Sequence, residues 1–239
     1  MLTERKESNT LLRFENVSKM YEYETHSLRE LNLTIKRGEF LFICGRTGSG
    51  KSTFLRLITK ELSPTSGKIF FEGEEITAMK HKDVPFLRRK IGVIRQSEET
   101  FLEDRTVSQN LEFVMRATGH KEKTLRERAR KALSMVRLEA KADCLPRELS
   151  GGERKRAEIA RALVNNPHLI IADEPTANLD SALSWDIMSL FEDINQLGVT
   201  IVIVTHDKEI VNIMRKRVIT FSDGKLLGDV KKGRYGDLL

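Results

Sequence analysis

The sequence predicts an α/β fold with a mixed-sheet core, an antiparallel β layer and an α-helical subdomain. Three observations point there. Glu39-Phe40-Leu41-Phe42-Ile43-Cys44, Ile91-Gly92-Val93-Ile94-Arg95, Leu169-Ile170-Ile171-Ala172 and Val199 to Val204 are short apolar runs, the pattern of strands buried on both faces. Leu12 to Val17 and Leu31 to Ile35 alternate apolar and polar residues, as half-buried antiparallel strands do. From Thr106 to Ser134 the periodicity becomes helical. One face carries Val107, Leu111, Val114 and Met115, and another Leu125, Ala129, Ala132, Leu133 and Val136. With no repeat, low-complexity tract or flexible linker, residues 1–239 read as one unit. Core and β layer fall at about 11–95 and 146–239, and the helical subdomain at about 97–145.

Between the first two strands, Ser18 to Tyr23 reads as a loop. Tyr21 there is placed either to stack on adenine or to pack as a surface aromatic. Gly45-Arg46-Thr47-Gly48-Ser49-Gly50-Lys51-Ser52 then has the spacing G-x-x-x-x-G-K-S between a buried strand and a helix running from Thr53 to Ile58. Glycines let the backbone turn tightly and approach a polyphosphate, so that successive N–H groups and the helix N-terminus point at its oxygens. Lys51 would reach the β- and γ-phosphates, and the Ser52 hydroxyl a Mg²⁺ ion.

Further on, Pro64 to Gly67 is a turn and Lys68 to Gly73 a strand with a turn. Pro85 suits the start of a short helix ending at Arg89, and the strand from Ile91 stops at Gln96. Ser150 and Glu153 have capping-box spacing. With Gly151 and Gly152 between them they open a helix whose N-terminus is free to receive an anion. Asp173 and Glu174 end a core strand, Asp173 placed to hold Mg²⁺ and Glu174 to take a proton from an attacking water. Trp185 to Leu197 is amphipathic. The strand after it ends at Thr205-His206-Asp207, where His206 is either structural or directed at a γ-phosphate. Arg217 to Phe221 and Lys225 to Val230 are short strands.

Composition sets limits. The chain is 39% hydrophobic and 32% charged, as in ordinary soluble domains, and lacks any apolar run of about 18 residues that would span a bilayer. Its first eight residues lack the apolar segment of a secretory signal, so a cytoplasmic site of action is expected. Cys44 and Cys144 lack metal spacing, and no disulfide is expected. The net charge of +6 is spread through Arg88 to Lys90, Arg126 to Lys131, Arg154 to Arg156 and Arg215 to Arg217, read as solvated helix faces. Charge alone does not choose between nucleic acid and an anionic membrane surface.

In this order, Gly45 to Ser52, Gln96, Leu149 to Glu153, Leu169 to Glu174 and His206 resemble the motifs of the ATPase subunits of ABC transporters, over nearly the whole chain. The resemblance implies an ATP-dependent head-to-tail homodimer with two ATP molecules, each between the phosphate loop, including Thr53, of one copy and Ser150, Gly151, Gly152 and Glu153 of the other. It further implies Tyr21 as the adenine-stacking aromatic, Gln96 as a contact to Mg²⁺ and the attacking water, Glu174 as general base and His206 as the γ-phosphate contact. Asn178-Leu179-Asp180 becomes the loop that communicates across the dimer.

Val84 to Gly92, Asp104 to Val107 and Lys232 to Gly236 are similar to the FtsE branch of that family, ATPases of cell division. That likeness implies peripheral attachment to the cytoplasmic face of the membrane through an integral FtsX-like subunit, and control of cell-wall hydrolases. Lipoprotein-releasing and macrolide-exporting ATPases are the alternative. No nucleic-acid partner is expected, because the span from Lys51 to Ser150 leaves room only for a compact helical part. Three departures from the family pattern stand out: Arg95 in place of an aromatic, Ala177 in place of glycine, and the acidic stretch Ser97 to Glu103. That stretch borders the groove where such ATPases receive a helix of the membrane subunit, and its charge predicts a basic segment opposite.

Overall fold

The computed structural model of the chain describes residues 9–21, 26–96 and 101–237. Glu98 and Glu99, the acids expected to face a basic segment, lie outside the described residues.

The hydrophobic stretches form two sheets. Strands β3 (Phe40–Cys44), β6 (Ile91–Ile94), β7 (Leu169–Asp173), β8 (Thr200–Val204), β9 (Arg217–Ser222) and β10 (Lys225–Val230) make a six-stranded sheet. Its order is β10-β9-β3-β8-β7-β6, parallel except for β10, which makes it mixed. Strands β1 (Thr10–Met20), β2 (His26–Lys36), β4 (Ser66–Phe71) and β5 (Glu74–Glu75) form an antiparallel sheet in the order β2-β1-β4-β5.

Helix α1 (Lys51–Ile58) joins the two sheets on one side of β3. Phe54 stacks on Phe14 at 5.0 Å and lies 5.5 Å from Phe221 between ring centroids. Alternation along β3 divides its fully buried side chains. Leu41 and Ile43 pack into the cluster with Phe54 and the antiparallel sheet, while Phe40, Phe42 and Cys44 join the cluster on the opposite face. Burial pushes the Cys44 thiol up to about 12, which keeps it an apolar filler. The opposite face is covered by helices α3 (Val107–Ala117), α4 (Leu125–Met135), α5 (Gly151–Leu163) and α6 (Ser181–Gln196), while α2 (Val84–Arg89) leads into β6 and contributes Leu87 to the first cluster.

Several local expectations change. Ser18 to Met20 belong to β1, because Ser18 pairs with Ser66 of β4 and Lys19 and Met20 pair with Leu28 and His26 of β2, leaving only Tyr21 of the described residues in the loop. The helical run from Thr106 is broken: Gly119 turns into the left-handed region at φ 80°, and Lys121 is extended before α4 begins. Helix α6 starts at Ser181, ahead of its apolar periodicity, because the Asp180 side chain caps it by accepting from Leu183 N–H at 2.9 Å. A further helix, α7 (Lys208–Met214), is too short for periodicity to show and is capped by Asp207.

The basic clusters are also not uniformly solvated helix faces. Arg217 lies in β9, held by Glu39 at 2.7 Å and Asp229 at 2.6 Å, and Arg215 is a left-handed helix end. Arg154 reaches Glu103 at 2.7 Å, across from α5 to the approach to α3.

Candidate active site

Parallel strands carry the loops at their carboxyl ends to one edge of the sheet, and ligands bind in the crevice outside those ends. Because β3, β8 and β7 are neighbours, three stretches distant in sequence meet there: the loop from Gly45, Thr205-His206, and Asp173-Glu174. The resulting cleft has a volume of about 410 Å³. Its walls include Thr47, Gly48, Gly50, Lys51, Ser52 and Thr53 on one side and Gln96, Asp173, Glu174, Ala177 and His206 on the other.

The loop depends on glycine at two points. Gly45 has φ 146°, and a Cβ there would lie 2.3 Å from the Phe221 carbonyl oxygen. Gly50, at φ 107°, is the residue before α1, and its Cβ would lie 2.4 Å from the Ser27 carbonyl oxygen. Lys51 folds back over the loop, donating to the carbonyls of Gly45 at 2.7 Å and Arg46 at 2.9 Å. Burial lowers its pKa, and the nearby Glu174 and Asp173 carboxylates oppose that shift. Arg46, Thr47, Gly48 and Ser52 are exposed, whereas Ser49 and Thr53 are buried. The Thr53 hydroxyl is 2.5 Å from Ser27 Oγ and 3.4 Å from Tyr21 Oη, so Tyr21 stands, exposed, at the lip of the loop.

Glu174 is the residue with the least ordinary surroundings. Its backbone is left-handed at φ 49°, and its N–H donates to the Val204 carbonyl at 2.9 Å, which turns the side chain back under the cleft. Oε2 accepts from Thr205 Oγ1 and from His206 N–H, both at 3.3 Å. Among the described residues Oε1 finds no hydrogen bond although it is buried, with His206 Nε2 3.6 Å away. Burial raises the Glu174 pKa, against the pull of the His206 N–H and ring, and burial likewise raises that of Asp173. A desolvated carboxylate with one uncommitted oxygen is the arrangement a general base requires. Burial and orphaned oxygen alike follow from the β7–β8 pairing.

Ser150, Gly151, Gly152, Glu153 and Asp180 are not among the cleft walls. The capping box is present at the start of α5: Ser150 Oγ accepts from Glu153 N–H at 3.3 Å, and Glu153 accepts from Ser150 N–H at 2.9 Å. The Glu153 carboxylate also pairs with Lys141 at 3.1 Å, so its charge is spent on the helix end. Residues that the sequence left unmarked also contribute. Ser27 lines the cleft, Thr205 holds Glu174, and Tyr235 Oη lies 3.4 Å from His206 Nδ1. Thr205 was named only as the neighbour of His206 and Tyr235 only inside the stretch Lys232 to Gly236, while Ser27 arrives through strand pairing.

A Gly-rich loop ahead of α1, paired acids after β7 and a histidine after β8, with a capped Ser-Gly-Gly helix start elsewhere on the surface, define the ATP-binding cassette class. The ABC transporter family model matches residues 28–177, and the chain belongs to that family. It is an ABC-type ATP hydrolase of the FtsE-like kind. The cell division ATP-binding protein FtsE of Bacillus subtilis strain 168 is 42% identical over 226 residues, covering 95% of this chain and 99% of that protein. FtsE of Escherichia coli K12 is 44% identical over 220 residues, with coverages of 92% and 99%. Among solved structures, a dimeric post-hydrolysis state of the ATP-binding cassette MJ0796 bound to ADP and Pi superposes with a TM-score of 0.81 at 35% identity, covering 94% of this chain and all of that one. The Clostridium perfringens cbiO1 structure, part of an ABC transporter complex, superposes at 0.87 and 34% identity, covering 94% of this chain and 89% of that one.

Proposed function

We propose that the chain hydrolyses MgATP at the interface of a homodimer and transmits dimer closure and opening to an FtsX-like membrane subunit that controls cell-wall hydrolysis in division. The observation that carries the chemistry is the convergence of Lys51, Asp173, Glu174 and His206 on one cleft. The division role rests on the full-length similarity to FtsE proteins.

The donor set fits Mg²⁺, since Ser52, Gln96 and Asp173 offer oxygen ligands in a cleft with room for phosphate oxygens and water. Bound there, the ion would neutralise charge on the β- and γ-phosphates. Lys51 exchanges its carbonyl partners for phosphate oxygens, Glu174 Oε1 receives the proton of the attacking water, and His206 lies beside both. Tyr21 stacks on the adenine. In the dimer, Ser150 and the N–H groups of Gly151 and Gly152 meet the γ-phosphate held by the partner copy, where the positive end of α5 favours an anion. Closure is therefore favoured while that charge is present and lost after hydrolysis. Asp180, which caps α6, communicates the state across the interface.

A groove of about 530 Å³ between the β6 edge and helices α3 and α5 is the surface we assign to the membrane subunit. Arg88, Arg89, Arg95 and Arg161 line it. Among the described residues of its walls they face one carboxylate, that of Glu61, which is already paired with Arg95. Those walls support a second reading, an acidic amphipathic segment, beside the basic one expected from Ser97 to Glu103.

The test is purification of tagged Glu174→Gln protein with ATP from gently solubilised membranes of its own source. Recovery of a subunit with few spans and an extracytoplasmic domain linked to wall hydrolases is expected. A substrate-releasing permease would move the assignment to export, and nucleic acid without a membrane protein would overturn both.

A further inference from the structure

The turn over residues 233–237 is fastened beside the site by several contacts. Gly233 packs so closely on β9 that a Cβ would lie 2.8 Å from Val218 Cβ, and its N–H donates to the Lys216 carbonyl at 3.1 Å. Arg234 N–H donates to Asp237 at 2.6 Å, and Tyr235 N–H donates to Asn212 Oδ1 of α7 at 2.8 Å. Lys208, one turn earlier on α7, stands 5.6 Å over the Tyr235 ring. With the turn held in this way, Tyr235 Oη lies 3.4 Å from His206 Nδ1.

The other ring nitrogen of His206, Nε2, lies 3.6 Å from Glu174 Oε1, the buried oxygen without a hydrogen bond among the described residues. A lone pair on Nε2 would face the carboxylate, so the proton of the neutral imidazole belongs on Nε2. Nδ1 is then an acceptor, and the phenolic O–H is the donor that meets it. Burial raises the Tyr235 pKa, as do the nearby Cys44 and Glu174, which keeps the hydroxyl protonated.

We propose that Tyr235 is a positioning residue of the ATPase site: it holds the His206 ring in the Nε2–H tautomer, with that N–H directed at Glu174 and the γ-phosphate position. The proposal rests on the reading of His206 as the γ-phosphate contact. It also assigns a role to the C-terminal turn, which lies outside residues 28–177 where the family model matches.

The test uses the full chain and the variant Tyr235→Phe, which removes one oxygen and leaves the ring. Steady-state ATPase assays should give kcat lower by about tenfold with KM for ATP within about twofold, the loss expected when a group is misoriented in the transition state only. ¹⁵N-histidine spectra, with His206 assigned through His206→Ala, should show the Nε2–H form in the parent and a tautomer mixture in Tyr235→Phe. In a His206→Ala background, Tyr235→Phe should cost nothing further. Asn212→Ala, which releases the Tyr235 backbone, should shift kcat and tautomer the same way. An unmoved tautomer, a parental kcat in Tyr235→Phe, or additive losses in the double variant would each overturn the proposal. Full activity in His206→Ala would instead overturn the reading of His206, and the spectra separate the two failures.

Discussion

Glu174 combines three properties that only its position explains: a left-handed backbone, a desolvated carboxylate and an oxygen without a hydrogen bond. In its proposed role as base it acts ionised, and burial holds its pKa above the ordinary glutamate value of 4.5. Activity should therefore fall with decreasing pH along a limb centred above that value, checked by the pH profile of kcat in the dimer. Glu174→Gln should bind ATP as the parent does and lose about 10²–10⁴-fold in single-turnover phosphate release. The stability effect has the opposite sign. A folded-state pKa raised above the unfolded one favours the fold at low pH, and that contribution is lost as pH rises through the folded value. The neutral isostere should accordingly melt at a temperature equal to the parent or roughly 2–4 °C higher at pH 7. A lower Tm would indicate that the carboxylate is a structural group.

At the scale of elements, the site depends on how α5 and the antiparallel sheet are seated on the core. Gly92 in β6 is where α5 comes closest: a Cβ there would lie 2.8 Å from the Ala162 carbonyl oxygen. Gly92→Val should destabilise by about 3 kcal/mol through overpacking, read as a lower urea midpoint. The second seat is Glu72, at the end of β4. Burial opposes its charge, but hydrogen bonds from Lys90 at 2.8 Å, Arg37 at 2.8 Å and His168 at 2.6 Å pull its carboxyl down to about 2. It thereby ties the antiparallel sheet to the starts of β6 and β7. A depressed folded pKa contributes stability above the unfolded value that is lost as pH falls from about 4.5 towards about 2. Glu72→Ala should cost about 2 kcal/mol at pH 7 by orphaning its cations. For a chain of this length that is a fall in Tm of roughly 4–8 °C. The sequence marked Gly92 only as part of a strand and Glu72 only as part of a turn, because neither a close approach nor a carboxylate held by three distant partners has a local pattern.

For the whole molecule, the separation of two binding surfaces decides the assembly. The Gly45–Lys51 loop and the Ser150 helix terminus are not parts of one cleft, so under the proposed function a second copy brings them together, each copy presenting the same pair of surfaces. Ser150→Arg in the Glu174→Gln background should leave ATP binding to the isolated chain intact and abolish the ATP-dependent dimer in size-exclusion chromatography with light scattering. A dimer that persists would place the interface elsewhere.

The sequence by itself determined the strand–loop–helix context of Gly45 to Ser52, the buried strands around it, the acids after β7 and the helix cap at Ser150. Each is a local matter of periodicity, turn chemistry or spacing, and periodicity is recorded in neighbouring residues. Only the tertiary structure decided that β8 lies between β3 and β7, bringing His206 to Glu174, that the C-terminal turn carries Tyr235 to the far side of that histidine, and that arginines line the groove beside β6. Those are consequences of strand order and of contacts between residues tens to hundreds of positions apart. They arise when a sheet is assembled in one order among several that the same local patterns would allow.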